Sequence, residues 1–280
     1  MKRLSLLAAA LLAVPVFAQD DFSLWTEVAV QKDLGKKFSV DAGVEYRMED
    51  NVSQPARWAF STGASYKPLK YFSIGVGYVF LHDYNFQESE IDYKKDDDGV
   101  ETDKFNGYNV DHAYWRNKHR ATLDLTGKLP LGRFTISLRE RYQYTHYVET
   151  STLRDKYRKL IPEEQLGGWT GDRYDYAGQV FSKWEQEEKL KRAKNRHYLR
   201  SRLGVEYNIK HCAWTPYASY ELSNNLSEDF HLDKKRLTLG AEWKITKQHR
   251  LDFAYVYDNG ADDDARSNDH AISLSYKFKF

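Results

Sequence analysis

Short segments of this chain alternate apolar and polar residues with a period of two. Successive side chains of a β-strand point to opposite faces, so each segment predicts a strand with one apolar and one polar face. About eleven such segments recur, and most are close to ten residues long, which is the length of a tilted strand that crosses a membrane. Their apolar positions lie within residues 24–30, 38–46, 58–66, 72–80, 121–125, 134–138, 199–207, 214–222, 237–245, 251–257 and 272–280.

The last of these segments ends the sequence as given. Its alternating apolar side chains are Ile272, Leu274, Tyr276, Phe278 and Phe280. Ser and Lys residues occupy the positions between them, so the two faces differ sharply in polarity. A strand that closes on an aromatic residue resembles the assembly signal of bacterial outer-membrane barrels. We therefore expect the barrel assembly machinery to bind this segment through Phe280.

The first residues predict export. Lys2 and Arg3 precede the apolar run 4–14, and Ala18 ends a stretch of small residues suited to cleavage. We predict a signal peptide over residues 1–18 and a barrel over residues 19–280. The residue directly after the cleavage point is Gln19 and not Cys, so a lipoprotein is not expected. No later run approaches the roughly 20 apolar residues that a membrane-spanning helix needs.

Composition changes this picture little. Charged residues make up 30% of the chain and mean hydropathy is -0.75, but a barrel hides its apolar residues by alternating them with polar ones. The aromatic content of 15%, mostly Tyr, is typical of the aromatic girdles at membrane interfaces. Net charge is only +1, so nucleic acid is not an expected partner. The single cysteine, Cys212, excludes an internal disulfide.

Connections between the segments fall into two alternating classes. The short ones carry turn residues and lie at 34–37, 67–70, 129–132, 210–212 and 246–249. The long polar ones lie at 49–54, 84–115, 148–194, 224–234 and 259–268. Short periplasmic turns and long extracellular loops are typical of outer-membrane barrels.

We therefore predict an all-β, antiparallel, transmembrane up-and-down β-barrel in the cell outer membrane, in contact with its lipids and lipopolysaccharide. Single-chain bacterial barrels have an even number of strands. We expect twelve, with a further strand hidden in the connection 148–194, or else ten, with the first segment outside the wall. Residues 180–194 mix Phe181, Trp184 and Leu190 with many charges, and one interpretation of this stretch is a helix that folds over or into the mouth.

Several motifs resemble an uncharacterised family of Gram-negative outer-membrane barrels that is catalogued only as a domain of unknown function. The resembling residues lie at 24–28, Gly35, 44–47, 57–58, 118–120 and 275–278. These motifs are patterns of a barrel wall, so the resemblance implies location and fold but no chemistry.

The polar faces carry the candidate site. Inward positions of three neighbouring strands hold the arginines Arg120, Arg139, Arg141, Arg200 and Arg202. Inward acidic positions on the other strands include Asp41, Glu45, Glu242 and Asp252. A basic wall that faces an acidic wall sets ion selectivity, and arginine forks suit small anions. We predict a porin-like, narrow, anion-preferring channel. The alternative is a sealed barrel whose interior charges pair with one another and which acts through its extracellular loops.

Other chemistry is less favoured. Outward-facing Glu140, His146, His197 and Ser201 make a lipid-modifying enzyme a remote alternative. His197 and Ser201 are four strand positions apart, roughly 13 Å, which is beyond hydrogen-bond reach. The acidic runs 96–98 and 262–264 lack the ligand spacing of a calcium loop, so we expect solvated loop tips. We expect no enzyme, metal or cofactor.

Overall fold

The computed structural model describes residues 22–260 and 269–280, and these form sixteen β-strands and one short helix. The elements in chain order are β1 Phe22–Leu34, β2 Phe38–Glu49, β3 Gln54–Leu69, β4 Phe72–Asn85, β5 Glu88–Lys95, β6 Glu101–Asp111, β7 Tyr114–Leu131, β8 Phe134–Tyr147, β9 Thr150–Leu160, α1 Glu163–Leu166, β10 Tyr174–Tyr176, β11 Gln179–Lys191, β12 Lys194–Tyr207, β13 Trp214–Asn225, β14 His231–Lys244, β15 His249–Gly260 and β16 Asp269–Lys279. The predicted signal peptide and the acidic run 262–264 lie outside the described residues.

Eleven of these strands form a closed barrel in the order β1-β16-β15-β14-β13-β12-β8-β7-β4-β3-β2. The predicted numbers of twelve and ten are therefore wrong for the described chain. Ten of the eleven neighbouring pairs are antiparallel, and β1 pairs with β16 in parallel from Phe22↔His270 to Gln31↔Lys279. Both strands run from the long-connection end to the short-connection end. Because the first and last strands of the sheet pair in parallel, the barrel closes with an odd number of strands. Its strand orientation is therefore mixed.

The five remaining strands form a separate antiparallel sheet in the order β10-β11-β9-β6-β5. Strands β5 and β6 belong to the connection 84–115, and β9, β10 and β11 belong to the connection 148–194. The latter connection thus adds no wall strand. The helix predicted over 180–194 is also wrong, because β11 occupies most of that stretch and pairs with β9 from Phe181↔Leu160 to Lys191↔Thr150. We call these strands the loop sheet.

Phe181 is fully buried at the centre of the loop sheet. Its ring lies 6.0 Å from that of Tyr108 and 5.9 Å from that of Tyr157, measured between ring centroids. Tyr176 stacks on Tyr157 at 4.6 Å. Aromatic packing of this kind gives a small sheet its own apolar core.

The alternation predicted from the sequence holds around the barrel wall. One large apolar or aromatic residue on each of ten wall strands leaves between 38% and 57% of its surface exposed; these are Val28, Val44, Phe60, Val76, Leu123, Leu138, Leu203, Tyr220, Leu239 and Phe253. Short turns join the strands at the barrel end opposite the long connections. Two of these turns place a glycine in the left-handed region of backbone conformation, Gly35 (φ +77°) and Gly132 (φ +64°).

Candidate functional site

Buried residues of the barrel concentrate in the half nearest the long connections. On nine wall strands the buried charged and amide side chains lie within about seven residues of that end; they are Arg47, Arg57, Asp83, Arg116, Lys118, Arg120, Gln143, Arg200, Glu221, Asn225, Lys234 and Asp258. The other half carries small inward residues such as Gly63, Gly204 and Ser219, which leave open space. The interior is therefore packed at one end and hollow at the other.

Trp25 is the largest apolar group of the packed half. It points inward from β1 and keeps only 7% of its surface exposed. The guanidinium of Arg47 lies 4.0 Å from the ring centroid, and that of Arg236 lies 5.0 Å away. Arg236 also donates to both carboxylate oxygens of Asp258, at 2.6 and 2.7 Å. Cation–π contacts and paired charges thus pack the interior around Trp25, and we call this layer the plug.

A second paired cluster lies on the neighbouring strands β3, β4 and β7. Arg57 donates to both carboxylate oxygens of Asp83, at 2.7 and 2.8 Å. Lys118 donates to the same carboxylate at 2.7 Å. All three side chains are buried, so each charge is compensated where water is excluded.

Four of the five predicted arginines donate side-chain hydrogen bonds to residues of other wall strands. Arg200 and Arg139 both donate to Glu221, the former at 2.5 and 2.9 Å. Arg141 donates to both oxygens of Asp124, at 2.6 and 2.8 Å. Buried Arg120 donates through Nε to the Thr145 hydroxyl at 3.4 Å. The carboxylates of this region thus lie beside the arginines and not only on the opposite wall.

Arg202 is different from the other four. It is exposed inside the barrel and forms no hydrogen bond or ion pair within residues 22–260 and 269–280. Its guanidinium therefore keeps donors that a small anion can use.

Two interior cavities lie within the barrel, and the first extends to Arg47, Arg57 and Arg236 of the packed half. The first holds about 410 Å³ and is lined from β1, β2, β3, β4, β7, β8, β12 and β14. The second holds about 530 Å³ and is lined from β1, β7, β8, β12, β13, β14, β15 and β16. Among the predicted lumen residues, Arg120, Arg141, Arg200, Asp41 and Glu45 line the first, while Arg202, Glu242 and Asp252 line the second. Arg139 lines neither.

Three of the four predicted acidic residues have local partners as well. Glu45 pairs with Arg47 at 2.8 Å, and Glu242 accepts from Arg250 at 3.0 Å. Asp252 accepts the Tyr217 hydroxyl at 2.7 Å. The Tyr217 ring lies across Gly240, where an added Cβ would approach the ring carbon Cζ to 2.6 Å. A larger residue at that position would displace Tyr217 from Asp252.

Sequence reasoning overlooked the plug residue Trp25. The sequence contains a signal that could have identified it. The apolar outward positions of this strand are 24, 26, 28 and 30, so the aromatic residue Trp25 lies at an inward position. An aromatic on the polar face of a barrel strand indicates interior packing. Arg116 was overlooked too, although it lies two positions before Lys118 on the same face.

The outward polar residues form separate pairs. Ser201 donates to Glu140 at 2.6 Å, while the His197 ring is hydrogen-bonded to the Tyr142 hydroxyl at 2.7 Å. His146 is bonded to Asn195 at 2.8 Å. No hydrogen bond joins Ser201 to a histidine in the described part of the chain. Within the described chain, Ser201 is thus not paired with His146 or His197 in the way that activates a nucleophile.

The acidic run 96–98 folds as a turn. Asp96 Oδ1 accepts the backbone N–H groups of Asp98 at 3.1 Å and Val100 at 2.8 Å. Among the described residues there is no group of three or more His, Cys, Asp or Glu side chains that could hold a metal ion.

Helices of the described residues give one further finding. None is long and apolar enough to cross a membrane.

Comparison with known protein families gives one match. The profile of a family described as "Protein of unknown function (DUF2490)" matches residues 22–269, which is most of the chain. The chain belongs to the DUF2490 family. A comparison with curated proteins finds no significant match. The family match and the β-barrel fold confirm the predicted resemblance to a barrel family that is described as a domain of unknown function.

Proposed function

We propose that this DUF2490 protein is an outer-membrane β-barrel that is sealed in its resting conformation and acts through its loop sheet. The packed half of the barrel is the observation that carries this proposal. Trp25, the Arg57–Asp83–Lys118 cluster and the Glu221 pairs fill the interior beneath the long connections. Because Arg57, Lys118 and Arg200 are paired there with Asp83 or Glu221, little drives water or ions into that half.

The apolar wall supports the membrane location. Ten wall strands each expose a large apolar or aromatic residue, and such a continuous exposed belt is unfavourable in water. In a bilayer the same belt contacts hydrocarbon, while the polar side chains remain inside. Outer-membrane lipids and lipopolysaccharide are then the surrounding partners.

The terminal strand supports assembly in that membrane. Phe280 follows β16, its backbone N–H donates to the Gln31 carbonyl at 3.0 Å, and its side chain is exposed. The barrel assembly machinery would bind this strand before β1 closes on it.

Planar-bilayer recording tests the seal. We expect the refolded wild type to give no steady conductance, while Trp25→Ala gives discrete steps because the plug loses its central ring. Trp58→Ala is the matched control, since Trp58 lies outward on β3 and is exposed. It should remain silent. Circular dichroism and heat-dependent gel mobility confirm that each variant is folded. A conducting wild type contradicts the proposal.

The second candidate is a narrow anion-preferring channel for small anionic solutes. Arg202 favours it, because this arginine faces the 530 Å³ cavity with no ion-pair partner among the described residues. In that case the wild type would conduct with anion preference in a salt gradient. Arg202→Gln would reduce that preference, whereas neutralising Lys36 in the β1–β2 turn would leave it unchanged.

A further inference from the structure

A basic pocket lies where the loop sheet joins the barrel. It holds about 570 Å³ and is lined by Arg116, Lys189, Leu190, Lys191, Arg192 and Lys194. Arg116 begins the inward face of β7, and the other five residues belong to β11, β12 and the link between them. Five of the six lining residues are cationic and none is acidic. We call this the junction pocket.

Arg116 is the buried base of the junction pocket, with only 6% of its surface exposed. Its Nε donates to the Val148 carbonyl at 2.9 Å, and its Nη2 donates to the Arg192 carbonyl at 2.6 Å. Arg116 has no carboxylate partner among the residues that the structure describes, so its positive charge is held in place by neutral groups. A buried cation compensated in this way favours the approach of an anion.

Asp111 is a carboxylate that contacts a cation of the junction pocket. Asp111 accepts from Lys191 at 2.6 Å, but it also accepts from Arg154 of β9. One negative charge is therefore divided between two cations. It leaves the pocket with a clear excess of positive charge.

Lys189 and Arg192 are the free cations of the junction pocket. Neither side chain forms a hydrogen bond or ion pair in the described part of the chain. Lys194 lies against the Tyr147 ring, with its Nζ 4.7 Å from the ring centroid. Concentrating like charges on one concave surface is unfavourable without a counter-ion, and a multivalent anion offsets that repulsion most efficiently.

The backbone around the junction pocket is already fixed. Arg116 joins β7 to the β8–β9 link and to the β11–β12 link through its hydrogen bonds. The Val148 N–H also donates to the Asn117 carbonyl at 3.0 Å. Little ordering is then required when a ligand binds, which favours affinity.

We propose that the junction pocket binds a phosphate group, as a phosphate monoester or pyrophosphate. Such a group carries close to two charges and several acceptor oxygens, which suits a mixed lysine and arginine lining better than a single carboxylate does. Leu190 is half exposed at the rim and offers an apolar contact to the remainder of the ligand. The phosphate belongs either to a lipid headgroup or to a soluble molecule. This inference rests on the proposed function, because it assigns a ligand class to the base of the loop sheet.

The test uses the full-length folded protein in zwitterionic micelles and calorimetric titration. One arm adds sodium pyrophosphate, and the other adds micelles that contain phosphatidic acid, with phosphatidylcholine micelles as the reference. We expect Lys189→Gln/Arg192→Gln to weaken binding about tenfold, because two free cations are lost. Lys36→Gln/Lys37→Gln removes the same charge at the opposite end of the barrel, from two exposed turn residues. This matched control should bind as the wild type does.

The two arms distinguish the source of the phosphate. Binding of pyrophosphate alone supports a soluble ligand, and binding of phosphatidic acid micelles alone supports a lipid headgroup. Binding of both supports the shared chemistry. A wild type that binds neither probe overturns the inference, and so does a junction variant that binds as tightly as the turn variant. A conducting wild type contradicts the sealed barrel without affecting this result, so the two proposals fail separately.

Discussion

Glu221 is a buried carboxylate that two interior arginines share. It accepts from Arg200 at 2.5 and 2.9 Å and also from Arg139. Its neutralisation removes the negative charge beside buried Arg200 and largely buried Arg139, and breaking a buried pair in this way costs about 3–5 kcal/mol. We therefore expect Glu221→Gln to lower the free energy of unfolding by about that amount, measured by urea titration in micelles.

Glu206→Gln is the control for this prediction. Glu206 lies on the same barrel and pairs with Lys128 at 3.7 Å, but its side chain is 44% exposed. Exposed ion pairs contribute about 0–1 kcal/mol, so this variant should unfold close to the wild-type midpoint. Equal losses in the two variants would show that the interior pairs do not stabilise the barrel.

Asp111 gives the loop sheet a defined pH dependence. Burial raises the pKa of Asp111, but hydrogen bonds and charges from Arg154 and Lys191 outweigh it and lower the pKa to about 2. A carboxyl whose folded pKa is depressed stabilises the fold above its unfolded pKa, near 4. That contribution disappears as the pH falls from about 4 to about 2.

Pepsin digestion between pH 4.5 and 2 checks this dependence, with cleavage inside residues 101–191 followed by mass spectrometry. The wild type should resist cleavage at pH 4.5 and become sensitive as the pH approaches 2. Asp111→Asn should already be sensitive at pH 4.5, because it lacks the charge that holds Arg154 and Lys191. Identical profiles for the two proteins would rule out Asp111 as the titrating group.

At the scale of elements, the β1–β16 seam decides the strand number. Thr26 and Leu274 are partners across this parallel pair. In a Cys212→Ser background, Thr26→Cys with Leu274→Cys should cross-link under mild oxidation, because paired Cα atoms of neighbouring strands lie within disulfide range. A shift in gel mobility that reducing agent reverses reports the bond.

Thr26→Cys with Ile272→Cys is the register control. Ile272 pairs with Leu24, two positions away and about 6.6 Å along the strand. This pair should cross-link much less. Equal cross-linking of both pairs, or none of the first, would contradict a fixed parallel seam.

The wall strands were predictable from sequence because their signal is local. Alternation identifies a strand and its two faces, so the inward position of Arg141 and the outward position of Leu138 follow from parity alone. Closure is not local. The residue patterns of β1 and β16 do not indicate that these two strands pair in parallel. An even number of strands is expected only when the first and last strands pair antiparallel.

The loop sheet shows the same limit more strongly. Residues 180–194 carry a charge at most positions, and their strand conformation depends on pairing with β9, where Glu187 accepts from Lys156 at 2.6 Å. Tertiary partners override weak local preference. The candidate site was likewise only partly predictable. Alternation along β12 predicts that Arg200 faces inward, but its pairing with Glu221 depends on the register between β12 and β13, which the sequence pattern does not give.

For the whole molecule, the two ends of the barrel have different chemistry. The packed end lies beneath the long connections and the loop sheet, and the hollow end lies above the short turns. If the barrel is sealed beneath its loops and lies in the outer membrane, as we propose, its orientation determines which compartment reaches Arg202.

The native cysteine reports that orientation. Cys212 is exposed in the β12–β13 turn at the hollow end. If the short turns face the periplasm, a membrane-impermeant maleimide should leave Cys212 unlabelled on intact Gram-negative cells and label it once the outer membrane is permeabilised. Glu228→Cys in a Cys212→Ser background places the only thiol in the β13–β14 connection at the packed end and should be labelled on intact cells. Labelling of Cys212 on intact cells would reverse the orientation, and the loop sheet with its junction pocket would then face the periplasm.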